Sequence, residues 1–264
     1  ENKQTFLTDT TMRVPARSYT DPDQWKAEME LIFKRVPLML AFTAELPNAG
    51  DYKAMDAVGM PVLINRDKEG KVRAFLNVCS HRAAPVASEG HGNCPRFTCK
   101  YHGWTYGADG KLIGVSEASK FGEVQKSELG LRELPCEERA GMIFVVLMPN
   151  APLDVDAYFR GFLEDFQALD FGNWTYMGSR TIHGANWKVA YDGYLEGYHF
   201  ASLHPETIFP RTPSNCMHYE GFGPHQRIGW ASTGRTVLAG AAVSMLRPQA
   251  RNEDRWLAVA RRTS

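Results

Sequence analysis

Apolar residues change their rhythm along this chain, and each rhythm predicts a different element. Trp25, Met29, Phe33 and Val36 recur at four, four and three residues behind Asp21-Pro22. That spacing predicts an amphipathic helix with Asp21 as N-cap and Pro22 at its first position, ending before Pro37. From about residue 38 the texture shortens. Val62-Leu63-Ile64 and Val72–Leu76 read as strands joined by the turn Asp67-Lys68-Glu69-Gly70. Another turn falls at Asp109-Gly110, between Thr105 and Leu112, and the apolar run Met142–Met148 reads as a buried strand. Residues 38–150 are therefore expected to form a small all-β domain behind an N-terminal helical segment, residues 1–37. Pro149-Asn150-Ala151-Pro152 is a break, after which Val155, Tyr158, Phe159, Phe162 and Phe166 restore helical spacing. Arg227 to Leu246 alternates loosely, as sheet would. Residues 151–264 form the last expected domain.

Composition narrows the function classes. Lys plus Arg and Asp plus Glu are both 30, so the net charge is zero and the basic footprint of a nucleic-acid binder is missing. The seven residues of Met142–Met148 are the longest apolar run, far short of the roughly 20 that cross a bilayer. The start, ENKQTFLTDTTMRVPARSY, has no signal-peptide core. A soluble, cytoplasmic protein is expected. Five cysteines in 264 residues are too few for a disulfide scaffold, and clustered cysteines in such a chain point to metal or redox chemistry. The chain begins without Met and stops at ARRTS, so a fragment of a longer protein is expected.

Two of the cysteines stand in CSHRAAPVASEGHGNCPRFTCKYHGW, residues 79–104. Cys79-Ser80-His81 and Cys99-Lys100-Tyr101-His102 each carry one thiol and one imidazole. Thiolates suit zinc and iron–sulfur clusters, and imidazole suits zinc and iron alike. A tetrahedral zinc site and a [2Fe–2S] centre are both open on residue type. Zinc sites usually pair like ligands, whereas one Cys and one His per loop suits a two-iron cluster gripped from both sides. Cys94 and His91 lie off this spacing and read as ordinary loop residues. Cys136 and Cys216 read as buried or half-buried cysteines.

The pattern C-x-H, seventeen residues, C-x2-H resembles the Rieske motif. Its flanks agree: Asn77-Val78 before it, Arg82 after the first histidine, and Gly103-Trp104-Thr105-Tyr106 at its end. The resemblance implies that Cys79 and Cys99 bind one iron and His81 and His102 the other.

A Rieske electron carrier would end near residue 150, but here NWKVAYDGYLEGYHFASLHPE follows at 186–206. Asp192, Glu196 and His199 are spaced by four and three, which on a continuous helix puts them on one face. His204 lies roughly 140° further round an ideal helix, so it reaches the same point only if the helix distorts or ends first. Pro205 favours such a break. Two imidazoles presented this way suit the 2-His-1-carboxylate iron site, which leaves positions open for dioxygen.

Together the two motifs resemble the catalytic α subunit of Rieske non-haem iron oxygenases of the aromatic ring-hydroxylating type, truncated at the C-terminus. The resemblance rests on Asn186-Trp187-Lys188, Glu196, His199 and His204 and covers nearly the whole chain. It implies an α+β fold: an all-β Rieske domain, then an incomplete helix-grip catalytic domain built on antiparallel sheet. It implies a [2Fe–2S] cluster and a mononuclear Fe(II) held by His199 and His204. Glu196 would bridge the two centres, bonding His199 of its own chain and the Rieske histidine of a neighbour. The third, carboxylate ligand comes later than residue 264 in the family; within this chain Asp254 is the nearby alternative, among Arg251, Glu253 and Arg255. The implied reaction hydroxylates an aromatic substrate with dioxygen and NAD(P)H-derived electrons. A separate reductase, with or without a ferredoxin, delivers them, and a homotrimer or α3β3 assembly is implied. Most members carry Asp at position 196; Glu occurs in branches acting on quaternary ammonium substrates, so a quaternary amine or an O- or N-demethylation substrate is the alternative. A Rieske electron-transfer protein without mononuclear iron is the second alternative. Phe200, Tyr219, Phe222 and Trp230 are expected in a pocket or in the core. No G-x-G-x-x-G fingerprint opens a βαβ unit, so the nicotinamide is expected on the partner.

Overall fold

The computed structural model describes residues 9–212 and 217–230. Cys216, Asp254 with its charged neighbours, and the alternating stretch beyond Trp230 lie outside the described residues. The chain divides into two compact units. One comprises Pro22–Tyr158 with Asp170–Ser179; the other comprises Glu1–Asp21, Phe159–Leu169 and Arg180–Ser264.

The first unit is built on three antiparallel sheets. Strands β1 (Leu38–Phe42), β10 (Cys136–Arg139) and β11 (Met142–Val145) form one sheet in the order β1-β11-β10. Five strands form the second, in the order β5-β2-β3-β4-β9: β2 (Asp51–Ala57), β3 (Met60–Arg66), β4 (Val72–Leu76), β5 (Gly90–Asn93) and β9 (Glu133–Leu134). Strands β6 (Arg96–Thr98), β7 (Thr105–Gly107) and β8 (Leu112–Gly114) form the third.

The short apolar runs are explained by burial on both faces of the five-stranded sheet. Side chains alternate along a strand. Val62 and Ile64 of β3, with Val72 and Ala74 of β4, enter a core shared with Ile143 and Val145 of β11. Leu63 and Phe75 face the other way, into a core with Cys79, Cys99, Trp104 and Tyr106. A strand buried on both faces cannot show polar alternation, so the sequence reads as an unbroken run. Arg66 clamps the first two sheets together, with Nη1 and Nη2 donating to Glu138 at 3.1 and 2.7 Å.

Both turns sit where expected. Gly110 has φ +79°, and a Cβ there would come 2.4 Å from Phe75 Cε1, so glycine meets a conformational and a steric demand together.

The N-terminal helix differs from its expected form. After α1 (Arg17–Thr20), α2 (Pro22–Glu28) passes into a wider π-type turn over Met29–Phe33. The extra residue per turn rotates the apolar stripe. Trp25 is exposed and Phe33 half-buried, while Glu28 is buried. The segment after the Pro149–Pro152 break is likewise divided, into α3 (Val155–Phe159), a 3-10 turn and α4 (Leu163–Ala168), with Arg160 at φ +53°.

In the second unit, α5 (Trp187–Tyr194) and the single turn α6 (Phe200–Leu203) precede the hairpin β12 (Met217–Phe222) and β13 (His225–Trp230). Among the described residues no helix is long and apolar enough to cross a membrane. The architecture is mixed α+β with antiparallel sheets, as expected.

Candidate metal centres

The two Cys/His loops share one backbone frame. In the first, the Cys79 N–H donates to Ala84 O at 2.8 Å and the Ala83 N–H to Cys79 O at 2.9 Å. In the second, the Cys99 N–H donates to Trp104 O at 2.8 Å and the Gly103 N–H to Cys99 O at 2.9 Å. Each loop turns on a left-handed residue four places after its cysteine: Ala83 at φ 60° and Gly103 at φ 69°. This repeat is invisible as a sequence repeat, because different residues fill the equivalent places.

The loops bring their side chains together. Cys79 and Cys99 are buried free thiols, and the His81 and His102 rings are 4.6 Å apart. His81 Nδ1 is buried without a hydrogen-bond partner among the described residues. An orphaned ring nitrogen beside buried thiols is what a metal ligand looks like before its metal is counted. Burial first, then the neighbouring His81 and Arg82, push His102 below the usual imidazole range, which favours the neutral, ligating form. Among the described residues no three His, Cys, Asp or Glu side chains converge as ligands of a single ion. A two-iron cluster asks only two protein ligands of each iron, so the four residues fit that group.

Two supporting residues lacked any role in the sequence reading. Asn77 is buried and pins the first loop: Oδ1 accepts the Val86 and Ala87 N–H groups, both at 3.0 Å, and Nδ2 donates to Ala87 O at 2.8 Å. Tyr106 is fully buried; its hydroxyl accepts the Ser80 N–H at 3.0 Å and lies 3.1 Å from Cys79 Sγ. Their positions inside the motif flanks were the only signal. His91 lies in strand β5 and not in a loop, and its Nε2 is 2.8 Å from Glu45 Oε2. Burial raises the Cys94 thiol and pushes Cys136 up to about 12, so both stay protonated.

In the second unit Asn186 caps α5, accepting the Lys188 N–H at 3.0 Å. The helix then stops at Tyr194. Asp192, Glu196 and His199 therefore do not share a helical face, contrary to the spacing. Asp192 remains on α5 and accepts the Tyr19 hydroxyl at 2.7 Å. One break precedes the first histidine, and the expected one follows it before Pro205. His199 flanks the start of α6 and His204 its end, where φ −125° takes the chain out of the helix. One short turn thus carries a histidine at each end, with ring centroids 5.5 Å apart.

Glu196 lies in the irregular segment and folds back. One carboxylate oxygen bonds His199 Nδ1, and the other accepts the backbone N–H groups of Tyr198 and His199. Burial works to raise its pKa, but these bonds outweigh it and hold the carboxylate below its usual range. With Nδ1 engaged, His199 keeps Nε2 for a metal. A cavity of about 620 Å³ adjoins the pair, lined by His199, His204, Phe200, Leu203, Ile208 and Trp230 among others. Phe200 is buried and packs 5.9 Å from Trp230; Tyr219 instead bonds Leu195 O, and Phe222 stacks on Phe162 at 5.2 Å. Among the described residues His199 and His204 have no carboxylate placed as a third ligand.

Comparison with known proteins follows the same division. Residues 36–134 match the Rieske [2Fe-2S] domain family, and residues 171–264 match the family described as the ring hydroxylating alpha subunit, catalytic domain. The anthranilate 1,2-dioxygenase large subunit of Acinetobacter baylyi is 30% identical over 212 residues, covering 74% of this chain and 43% of that protein. The carnitine monooxygenase oxygenase subunit of Escherichia coli is 32% identical over 195 residues, covering 73% and 52%. A solved quaternary ammonium Rieske monooxygenase superposes with a TM-score of 0.76 at 28% identity, covering 84% of this chain and 62% of that one. The chain spans about half the length of the curated relatives it matches.

Proposed function

This chain belongs to the family of Rieske oxygenase α subunits, and from that premise we propose that it is the electron-entry part and the two-histidine part of an oxygenase component. The oxygenase uses dioxygen and NAD(P)H-derived electrons to hydroxylate an aromatic substrate. A separate reductase, with or without a ferredoxin, supplies the electrons. The working assembly is a homotrimer or α3β3, in the cytoplasm. Residues 38–150 form its Rieske domain and 151–264 the first part of its catalytic domain.

The observation that carries this reading is the pair His199 and His204 at the two ends of one helical turn, beside an apolar cavity. An electron carrier has no use for such a pair. Cys79, Cys99, His81 and His102 would hold the cluster; His199 and His204 would hold the mononuclear iron, with a carboxylate from the remaining polypeptide. When bound, the cluster supplies one-electron transfer and the iron supplies a dioxygen-binding centre.

The protein's own groups then have definite work. Glu196 fixes the His199 tautomer by accepting the Nδ1 proton, and its bonds to Tyr198 and His199 N–H hold that carboxylate in place. As the bridging carboxylate it also takes a Rieske histidine of a neighbouring subunit. Phe200, Leu203 and Ile208 give the cavity an apolar wall against which an apolar ring can be oriented.

The quaternary amine is the second reading. The match to a quaternary ammonium monooxygenase and the Phe200–Trp230 pair favour it, because aromatic faces attract a quaternary ammonium.

Iron and acid-labile sulfide per chain, with EPR of the dithionite-reduced protein, test the reading on wild type and His199→Ala. About three irons and about two sulfides are expected, with the mutant losing one iron and keeping the Rieske signal. Equal iron in both proteins, with the signal present, would mean an empty mononuclear site, either for want of its carboxylate ligand or because the protein is an electron carrier, and the longer protein would separate the two; zinc without sulfide would overturn the assignment altogether.

A further inference from the structure

Trp104 has a buried donor that the described residues leave unanswered. The residue is 4% exposed, and its Nε1 is buried with no hydrogen-bond partner among the described residues. An indole nitrogen can only donate. A donor shut away without an acceptor is costly, and native folds rarely keep one. Because the atom is already buried in the single chain, neither bulk water nor another subunit can reach it.

The position narrows what the acceptor is. Trp104 lies in the second loop but stacks on the histidine of the first: the His81 and Trp104 rings are 4.8 Å apart and within 10° of parallel. The indole N–H lies in its ring plane, so it cannot point into the face of His81. Two orphaned nitrogens, Nδ1 of His81 and Nε1 of Trp104, thus sit on two stacked rings. One wants a metal and the other an acceptor. An iron–sulfur cluster offers both, and it is the constituent of this domain that the polypeptide does not itself supply. Gly103, at φ +69°, makes the turn that sends Trp104 inward directly after His102.

We propose that the indole N–H of Trp104 donates a hydrogen bond to a sulfur of the [2Fe–2S] cluster, while its ring braces His81. Trp104 is then a positioning and potential-setting residue. This rests on Cys79, His81, Cys99 and His102 holding that cluster. Hydrogen bonds to cluster sulfur favour the more negative, reduced state and raise the potential.

The experiment uses protein labelled with indole-15N tryptophan, reduced and studied by pulsed EPR, beside Trp104→Phe. A 15N coupling to the reduced cluster is expected in the wild type and its loss in the variant. Trp104→Phe should keep iron, sulfide and the Rieske signal. Its reduction equilibrium should shift roughly tenfold toward the oxidised state, a potential about 59 mV lower. Absence of any 15N coupling in a wild type with a normal Rieske signal would overturn the proposal, whether or not the variant folds. An unchanged potential in a cluster-bearing variant would do the same. A wild type with no Rieske signal would instead remove the cluster assignment, and this inference with it.

Discussion

The hydroxyl of Tyr106 stands 3.1 Å from Cys79 Sγ while accepting the Ser80 N–H at 3.0 Å. With its oxygen occupied by that N–H, the phenol proton is left for the sulfur. Burial first, then the Cys79 sulfur, push the phenol up to about 12, so it remains a donor throughout the neutral range. Tyr106→Phe removes that bond and little volume. The variant is expected to keep its cluster, with a potential lower by up to about 59 mV, a tenfold change for one electron. Redox titration followed by EPR or visible absorbance measures it.

In the proposed iron site Glu196 is expected to act on metal affinity through His199. Glu196→Ala frees the ring to turn and removes the acceptor on Nδ1. Loss of such a partner weakens metal binding by roughly 10- to 100-fold. Chelator competition should show this for the mononuclear iron, while the Rieske signal stays at wild-type intensity. Equal loss of both centres would mean that the variant misfolds.

Gly110→Ala tests the turn under the cluster-bearing core. The substitution forces alanine into φ +79° and drives its Cβ against Phe75. The left-handed conformation costs about 1–2 kcal/mol, and overpacking adds roughly 1–3 kcal/mol. Denaturant midpoints should fall accordingly, whereas Gly70→Ala, at φ +82° with open space around it, should lose only the conformational part.

Asp67 sets an acid limit on the same unit. Its carboxylate accepts from Arg73 Nε at 2.9 Å and from the Lys71 and Glu69 N–H groups at 2.8 and 3.1 Å. Burial tends to raise its pKa, but Arg73 and the backbone donors outweigh it, and the folded value lies below the ordinary one. A depressed carboxylate contributes its stability in full above the unfolded value, about 3.9. That contribution is lost as pH falls through the lower folded value. Wild type should therefore weaken progressively below about pH 4 relative to Asp67→Asn. At neutral pH the variant should itself be less stable by about 1–3 kcal/mol. Urea midpoints compared across pH check both signs.

Much of this protein was determined by sequence alone, because its signals are local. Turn chemistry at Asp67–Gly70 and Asp109-Gly110, the doubly buried runs of β3 and β4, and the Cys and His spacing at 79–81 and 99–102 depend on neighbours a few residues away. The joining of two motifs likewise identified the family before any coordinate. Other features belong to tertiary structure. The shared backbone frame of the two Cys/His loops is made by hydrogen bonds and left-handed residues, not by repeated side chains. The early end of α5 separates Asp192 from Glu196, because Glu196 satisfies the N–H groups of Tyr198 and His199 that a continuous helix would have turned to its own carbonyls. Periodicity assumes a helix that continues; a carboxylate that competes for the backbone ends it. The burial of the Trp104 and Tyr106 donors was also undecided in one dimension, since which partner a side chain's donor meets or lacks is settled only once the fold has closed around it.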